Sequence, residues 1–495
     1  MRVVPALRVL AVFAVAILEV NCGDTFRPIA IPQNPQPPDP KAIHFALFLS
    51  ANGPEACVPL SDPPVFPGGA PCDPSIHTGA SSRIDVSGDT NVSTATVGMG
   101  PVHAALLPNS DAAYVANLSD NTVTAYNSAV AGPATTTITL PPGTNPVFVE
   151  TKETGNVYVA GKGTGPDTQS LSVISTGQNV ITRTLTASDG IGSNPVAMVE
   201  TTNGKKLYVV NKDDGTVTAI NTIDKTVNAV ITTGAGPIWA AARADDARVY
   251  VLNQGDGTVS VIDTVNDVIL GAPITLAAPA NYMTYDKVLD RLYLTIPATS
   301  QVAVLDVSSD PPVALPNIDL SAVCPPGTCK LDAVTTLPAG SNNESKKGTV
   351  YVSSYTINTT TCTQLAGAPA DNPPCITTQV SVIKPPSNTL QTTITMMHTV
   401  FVNSVSVGTK TDVPALPFCD EAAAEPHARF RRHIAAAADA SRVFVANCDG
   451  GGMDIIRTSD DSFVLNLPAP VSSAPILPGQ TFPPPQNPVF VLPGR

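Results

Sequence analysis

Residues 204–234, GKKLYVVNKDDGTVTAINTIDKTVNAVITTG, read as three short strands joined by two turns. Leu207 to Val210 is an unbroken apolar run rich in β-branched and aromatic types, the pattern of a strand covered on both faces. It stops at Asn211. Lys212 to Gly215 then supplies a turn whose Asp214-Gly215 pair tolerates positive φ, so the chain reverses into Thr216 to Ile220 as a hairpin. A second turn over Asn221 to Lys225 leads into Thr226 to Thr232, and Gly234 ends the pattern.

Upstream, Asn194-Pro195-Val196-Ala197-Met198-Val199 predicts a further strand, opened by a proline that cannot donate a ladder hydrogen bond and therefore sits at a strand start. Four strands make the unit. The next copy begins at Gly236-Pro237-Ile238 and runs through Tyr250-Val251-Leu252-Asn253, Asp256-Gly257-Thr258-Val259 and Ile262-Asp263-Thr264, so that Tyr208 and Tyr250 are 42 residues apart. A self-similar period of this size, filled by four short strands, is what one blade of a β-propeller requires. A single twisted blade cannot cover its own apolar faces and must stack on neighbours.

These repeats, NPV…LYVVN…DGTVTAIN and GPI…VYVLN…DGTVSVIDT, resemble the YVTN family of β-propellers, and the resemblance is strongest over residues 100–320. It implies an all-β fold and a cell-envelope setting, and it carries no shared catalytic residues or cofactor. Tyr158 and Tyr293 depart from the marker, being followed by Val-Ala-Gly and Leu-Thr-Ile, and their blades are assigned by spacing.

Later markers fall at Tyr351 and Phe444, earlier ones at Tyr114 and Tyr158. At the C-terminal end Asn487-Pro488-Val489-Phe490-Val491 repeats Asn145-Pro146-Val147-Phe148-Val149, opening a blade that then stops. Near the N-terminus Ile43 to Ser50 and Arg83-Ile84-Asp85-Val86 read as later strands of a blade that lacks its first. The two fragments are complementary halves of one blade, and joining them closes a ring without an exposed sheet edge. The literal count is eight blades, with seven the alternative if the Ile43 or the Phe444 region is irregular. Val400 to Val407 reads as an added strand with no assigned place.

The chain has 495 residues, 14% of them charged, and a net charge of -13, a balance that disfavours nucleic-acid partners. Arg2 and Arg8 precede an apolar run from Val9 to Leu18 that is too short to span a bilayer and reads as a secretion signal. Cys22 follows at the place of a lipoprotein's acylated cysteine, although Leu18-Glu19-Val20-Asn21 departs from the lipobox; cleavage after Ala14-Val15-Ala16 is the alternative. The expected organisation is a signal peptide over 1–22, a proline-rich tether over 23–42 and a propeller over 43–495 with its closing strand at 487–492.

Eight cysteines remain. Pairing near neighbours gives Cys57 with Cys72, Cys324 with Cys329, Cys362 with Cys375 and Cys419 with Cys448, each bracketing a loop-like insertion; free thiols or another connectivity are the alternatives that spacing leaves open. No Cys pair stands near His at metal-ligand spacing, so no metal or cofactor is expected.

The familiar catalytic signatures are absent. First strands of a propeller line its channel, and here they carry His103, Glu150, Glu200, Arg243 and Asp286. Glu150 and Glu200 each lie eight residues before their blade's Tyr, which predicts equivalent rim positions, and with Asp286 they form the candidate channel-rim set. Carboxylates that merely solvate strand ends are the plainer reading. His427-Ala-Arg429-Phe-Arg431-Arg432-His433 is the one dense basic stretch, a docking patch for an anionic glycan or an acidic protein, or else a solvated insertion or a strand whose outward residues are basic. Two functions follow as expectations: an envelope-anchored, non-enzymatic binding or scaffold module for a protein or glycan, or a periplasmic enzyme of lactonase or dehydrogenase-accessory type acting at the channel.

Overall fold

The computed structural model describes residues 44–53, 77–152, 155–165, 167–339, 344–368, 370–402, 405–423, 427–472 and 486–494. Cys22, the pair Cys57 and Cys72, and the signal and tether segments lie outside the described residues. Those described form eight antiparallel blades. Blades 1 to 7 span 101–139, 146–186, 195–232, 237–275, 282–319, 329–395 and 432–468. Blade 8 takes its inner strand from Asn487–Gly494 and the others from Phe45–Ala51, Thr78–Asp85 and Thr90–Met99. Leu47 lies opposite Leu492, Phe48 opposite Val491 and Leu49 opposite Phe490, so the two ends of the propeller share one sheet. Each inner strand packs on the next, and Asn487–Gly494 touches the inner strands of both blade 7 and blade 1, which seals the ring.

The second strand of each blade is buried on both faces because its neighbours on either side belong to the same sheet and its faces meet adjacent blades. Tyr158, Tyr208, Tyr250, Tyr293 and Tyr351 are fully buried there. The Asn that ends the marker has a separate task. Asn211 Nδ2 donates to the hydroxyls of Thr216 and Thr218 at 3.1 and 3.0 Å, and Asn117 and Asn253 make the same bridge in blades 1 and 4. This amide ties the second strand to the third across their tight turn. A glycine packs directly on it: a Cβ at Gly98, Gly192 or Gly234 would come within 2.6 to 2.8 Å of the Asn side chain. In blade 2 the marker ends in Gly161 instead, and the contact there is with Thr144.

Blades are also latched to one another. Tyr208 Oη donates to Asp267 Oδ1 of blade 4 at 2.6 Å, Tyr351 Oη to Asp461 of blade 7 at 2.6 Å, and Tyr114 Oη to Asn179 of blade 2 at 2.7 Å. Each acceptor occupies the turn between the third and fourth strands of its blade and has positive φ, as Asn and Asp tolerate. Cations on the same strand add to the latch: Lys206 pairs with Asp267, and in blade 7, where Phe444 has no hydroxyl, Arg442 grips Asp89 of blade 8 through two nitrogens at 2.8 and 2.9 Å.

Departures from the repeat are concentrated in blades 6 and 7. The single added strand expected over Val400 to Val407 is instead two, His398–Val402 and Val405–Lys410, which pair as a separate two-stranded sheet. Disulfides join Cys324 to Cys329, Cys362 to Cys375 and Cys419 to Cys448. The stretch from Cys419 to Cys448 is not a simple loop as its spacing suggests, since it contains the first two strands of blade 7, Arg432–Ala436 and Arg442–Asn447. The bond fastens the segment entering that blade to the end of its second strand.

Candidate functional site

Strand pairing identifies one residue of each inner strand that lies at the same depth around the axis. His103 is opposite Ala116, Phe148 opposite Ala160, Ala197 opposite Val210, Trp239 opposite Leu252, Tyr282 opposite Thr295, His433 opposite Ala446 and Phe490 opposite Leu49. In blade 6 Ala333 falls in the corresponding bulge. Six of these eight positions are aromatic. Consecutive ring centroids are 3.7 Å apart for His103 and Phe148, 4.4 Å for His103 and Phe490, 4.3 Å for Phe490 and His433, and 4.8 Å for Trp239 and Tyr282. They form a girdle around the channel.

The two gaps, at Ala197 and Ala333, are filled by the segment that precedes blade 7. Phe430 packs edge-on to Tyr282 at 5.3 Å and against His433 at 4.9 Å. Arg429 extends its guanidinium over Trp239, Phe430 and Phe148 at 4.8, 5.5 and 5.7 Å, and donates to the carbonyls of Val196 at 2.5 Å and Ile238 at 3.0 Å. Aromatic faces and two carbonyls thus replace the guanidinium's hydration. Burial still pulls its pKa down to about 10.

Both histidines are held in one tautomer. Val149 N–H donates to His103 Nδ1 and Val491 N–H to His433 Nδ1, each at 3.3 Å, which leaves the neutral ring's proton on Nε2. Burial, with Arg429 nearby, lowers the pKa of His103 well below the ordinary value and that of His433 to about 3. They are neutral rings at physiological pH.

The basic stretch expected at the surface is turned inward. Besides Arg429 and His433, Arg431 and Arg432 are buried and clasp Asp449, Arg431 Nη1 on Oδ1 at 2.5 Å and Arg432 Nη1 on Oδ2 at 2.6 Å. Arg432 N–H also donates to Asp332, whose carboxyl burial raises to about 6. A guanidinium pair with an internal carboxylate is cheaper to bury than to leave unmatched, which an isolated reading of charge density does not reveal.

The rim carboxylates do not share one position. Glu150 is opposite Tyr158, Glu200 is opposite Leu207 and Asp286 is opposite Arg291, three successive register positions relative to the marker. Turn lengths differ, so equal sequence spacing to Tyr did not give equal register, and a shift of one residue turns a side chain to the other face. Glu200 is buried and accepts Lys152 N–H of blade 2 at 2.6 Å, while Glu150 pairs with Lys152 Nζ at 3.1 Å, so these two meet around one lysine. Asp286 lies two blades from Glu200 and accepts Val288 N–H at 2.9 Å; burial raises its pKa. Arg243 bonds Val307 O of the next blade at 3.0 Å. No group of three or more His, Cys, Asp or Glu that could hold a metal occurs among the described residues.

No family model matches the chain, and no curated protein matches it. Among solved structures, dihydro-heme d1 dehydrogenase NirN in complex with DHE superposes with a TM-score of 0.53 at 12% identity, over 80% of this chain and 71% of that one. Hydrazine synthase of Kuenenia stuttgartiensis gives a TM-score of 0.42 at 13% identity, over 74% and 86%. A functionally unknown protein from Desulfotomaculum acetoxidans DSM 771 gives 0.44 at 10%, over 86% and 95%. At these identities the likeness is one of fold.

Proposed function

We propose that this chain is an exported, lipid-tethered propeller that serves as a non-catalytic binding or scaffold module for an envelope protein or polysaccharide. The observation that carries this reading is the filled channel. Where an enzyme of this fold would assemble reacting groups, the girdle, Arg429 and Phe430 occupy the axis, and the guanidinium is engaged by the chain's own carbonyls. Contact with a partner then falls to the turns. Ile223 and Val265, in the turn between third and fourth strands of adjacent blades, are 73% and 75% exposed, an apolar pair displayed on one face. The disulfides fit an oxidising, extracytoplasmic compartment. The YVTN-like repeats and Cys22 support an envelope setting and a lipid anchor.

Two experiments test the reading. Metabolic labelling with a clickable fatty acid, followed by fractionation, is expected to place the wild type in the membrane fraction and Cys22→Ser in the soluble exported fraction; an unlabelled wild type removes the tether. Photo-crosslinkers placed at Ile223 and Val265 in intact cells are expected to capture a discrete partner that a crosslinker at Val313 in blade 5 does not. Equal labelling from all three positions removes the binding face.

A further inference from the structure

Blade 7 departs from the way blades 1, 3 and 4 fasten their second strand. Asn447 ends that strand as Asn211 does in blade 3, but Gly452 and Asp454 stand where blade 3 has the hydroxyls of Thr216 and Thr218. Asn447 Nδ2 donates one hydrogen to Asp454 Oδ2 at 3.0 Å and the other to His398 Nε2 at 3.3 Å. His398 opens the accessory hairpin made by His398–Val402 and Val405–Lys410, and it comes from the end of the preceding blade, as do the glycines that pack on the Asn amide in blades 1, 3 and 4. Its ring is buried and lies on the backbone of Gly450, where a Cβ would come within 2.9 Å of it. The amide cannot turn over. Its Oδ1 accepts Gly450 N–H at 3.1 Å, and Asp454, which also accepts from Asn466 Nδ2 at 2.5 Å, requires the NH2 side. His398 Nε2 is therefore an acceptor and the ring's proton is on Nδ1, which has no hydrogen-bond partner among the described residues.

We propose that His398 is an acid-operated latch: the neutral ring holds the accessory hairpin on blade 7, and protonation releases it. The docked ring has room for one proton only. A second would sit on Nε2 and meet the Asn447 N–H, donor against donor, and a buried cation without an acceptor is costly enough to send the ring into water. The surrounding charges divide. Asp454, Asp412 and Asp449 favour the cation and Arg432 opposes it, while Lys410, opposite His398 across the hairpin, is engaged by Asp371. Burial is the largest influence and lowers the pKa of His398 below its ordinary value. A lowered folded pKa means that the ring's grip is complete above the unfolded value of about 6.5 and is lost as pH falls through the folded value. Asp454, whose own pKa burial raises, works in the opposite sense. Successive turns of a blade alternate between the two faces of the ring, so this latch, at the turn between second and third strands, is on the face opposite Ile223 and Val265.

Hydrogen–deuterium exchange of the full chain, corrected for the intrinsic pH dependence of amide exchange, tests this. A two-stranded hairpin is marginal once undocked, so its amides report the latch. Exchange in Val405–Lys410 is expected to accelerate about tenfold for each pH unit below about 6.5 until the folded value is passed, while Leu207 to Val210 of blade 3 stays protected. His398→Gln, whose amide oxygen can accept from Asn447 and does not titrate, is expected to hold the hairpin's protection constant over the same range. Wild-type hairpin exchange that ignores pH, or that accelerates equally in His398→Gln, overturns the proposal. Simultaneous loss of protection in blade 3 also overturns it, because acid then opens the ring as a whole. If the variant does not fold, exchange at the imidazole C2–H of wild-type His398 decides: a pKa below about 6.5 supports the latch, and one at or above it overturns the latch.

Discussion

Tyr208 of blade 3 donates its hydroxyl to Asp267 of blade 4 at 2.6 Å, while Lys206, two residues earlier on the same strand, reaches the other oxygen of that carboxylate at 2.8 Å. Neighbouring blades are thus held by a charge-assisted bond as well as by apolar contact. Removing the hydroxyl as Tyr208→Phe is expected to lower stability by about 1.5–3 kcal/mol, the usual worth of a hydrogen bond to a charged group. Equilibrium urea unfolding of single and double variants with Asp267→Ala checks it; independent, additive losses would show that the two residues do not act together.

Gly192 is expected to reject alanine. A Cβ there would come within 2.7 to 2.8 Å of the Asn211 side chain, whose amide binds Thr216 and Thr218. Forcing Asn211 aside breaks both bonds, at a cost of about 1–3 kcal/mol. Thermal unfolding of Gly192→Ala against Gly177→Ala, where a Cβ meets nothing within 4 Å, separates this clash from any general effect of glycine replacement.

Arg429→Ala removes a guanidinium from three aromatic faces and leaves the carbonyls of Val196 and Ile238 without their donor. A loss of about 2–4 kcal/mol follows from one unmade pair of charged hydrogen bonds and the cation–π contacts. Trp239 is the chain's sole tryptophan, so its fluorescence reports the same site. A shift toward the emission of a wetter indole is expected; an unchanged spectrum and transition would contradict the packing described.

Acid should weaken the ring through its two inner histidines. Their folded pKa values lie below the unfolded value of about 6.5, His433 at about 3, so the stability they contribute is present above about 6.5 and is lost as pH falls toward the folded values. Asp332 acts in the opposite sense: its raised value of about 6 means that protonation between about 6 and 4 favours the folded state. Melting temperature measured from pH 7 to pH 4 is expected to fall for the wild type and to fall less for His433→Phe, which keeps an aromatic ring beside Phe490.

Most of the architecture is written in local chemistry. Pro195 and Pro237 mark inner-strand starts, Asp214-Gly215 and Asp256-Gly257 mark hairpins, and Asn487 to Val491 copies an earlier first strand, so the blade period and the ring's closure can be read without a structure. The channel could not. Its composition depends on which residue of each inner strand falls at the bulge, a matter of pairing register that turn length alters, and Glu150, Glu200 and Asp286 accordingly occupy three positions instead of one. Arg429 and Phe430 reach the axis from a segment outside the repeat, and only the two small residues Ala197 and Ala333, set among aromatics at the same depth, hint that something else must fill the space. The charge run of 427–433 misleads for a related reason. Its partner, Asp449, lies beyond the second strand of blade 7 and meets Arg431 and Arg432 only because that strand returns the chain beside its first.

Blade 8 draws on both ends of the described fold, and this fixes an order of assembly. A chain synthesised from its N-terminus delivers Phe45–Ala51 first and Asn487–Gly494 last, so until synthesis ends one apolar flank stays unmatched and attractive to other chains. Supplying residues 486–495 as a separate peptide to a chain cut after Pro485 is the laboratory counterpart of that last step: it should convert an aggregating intermediate into the finished toroid.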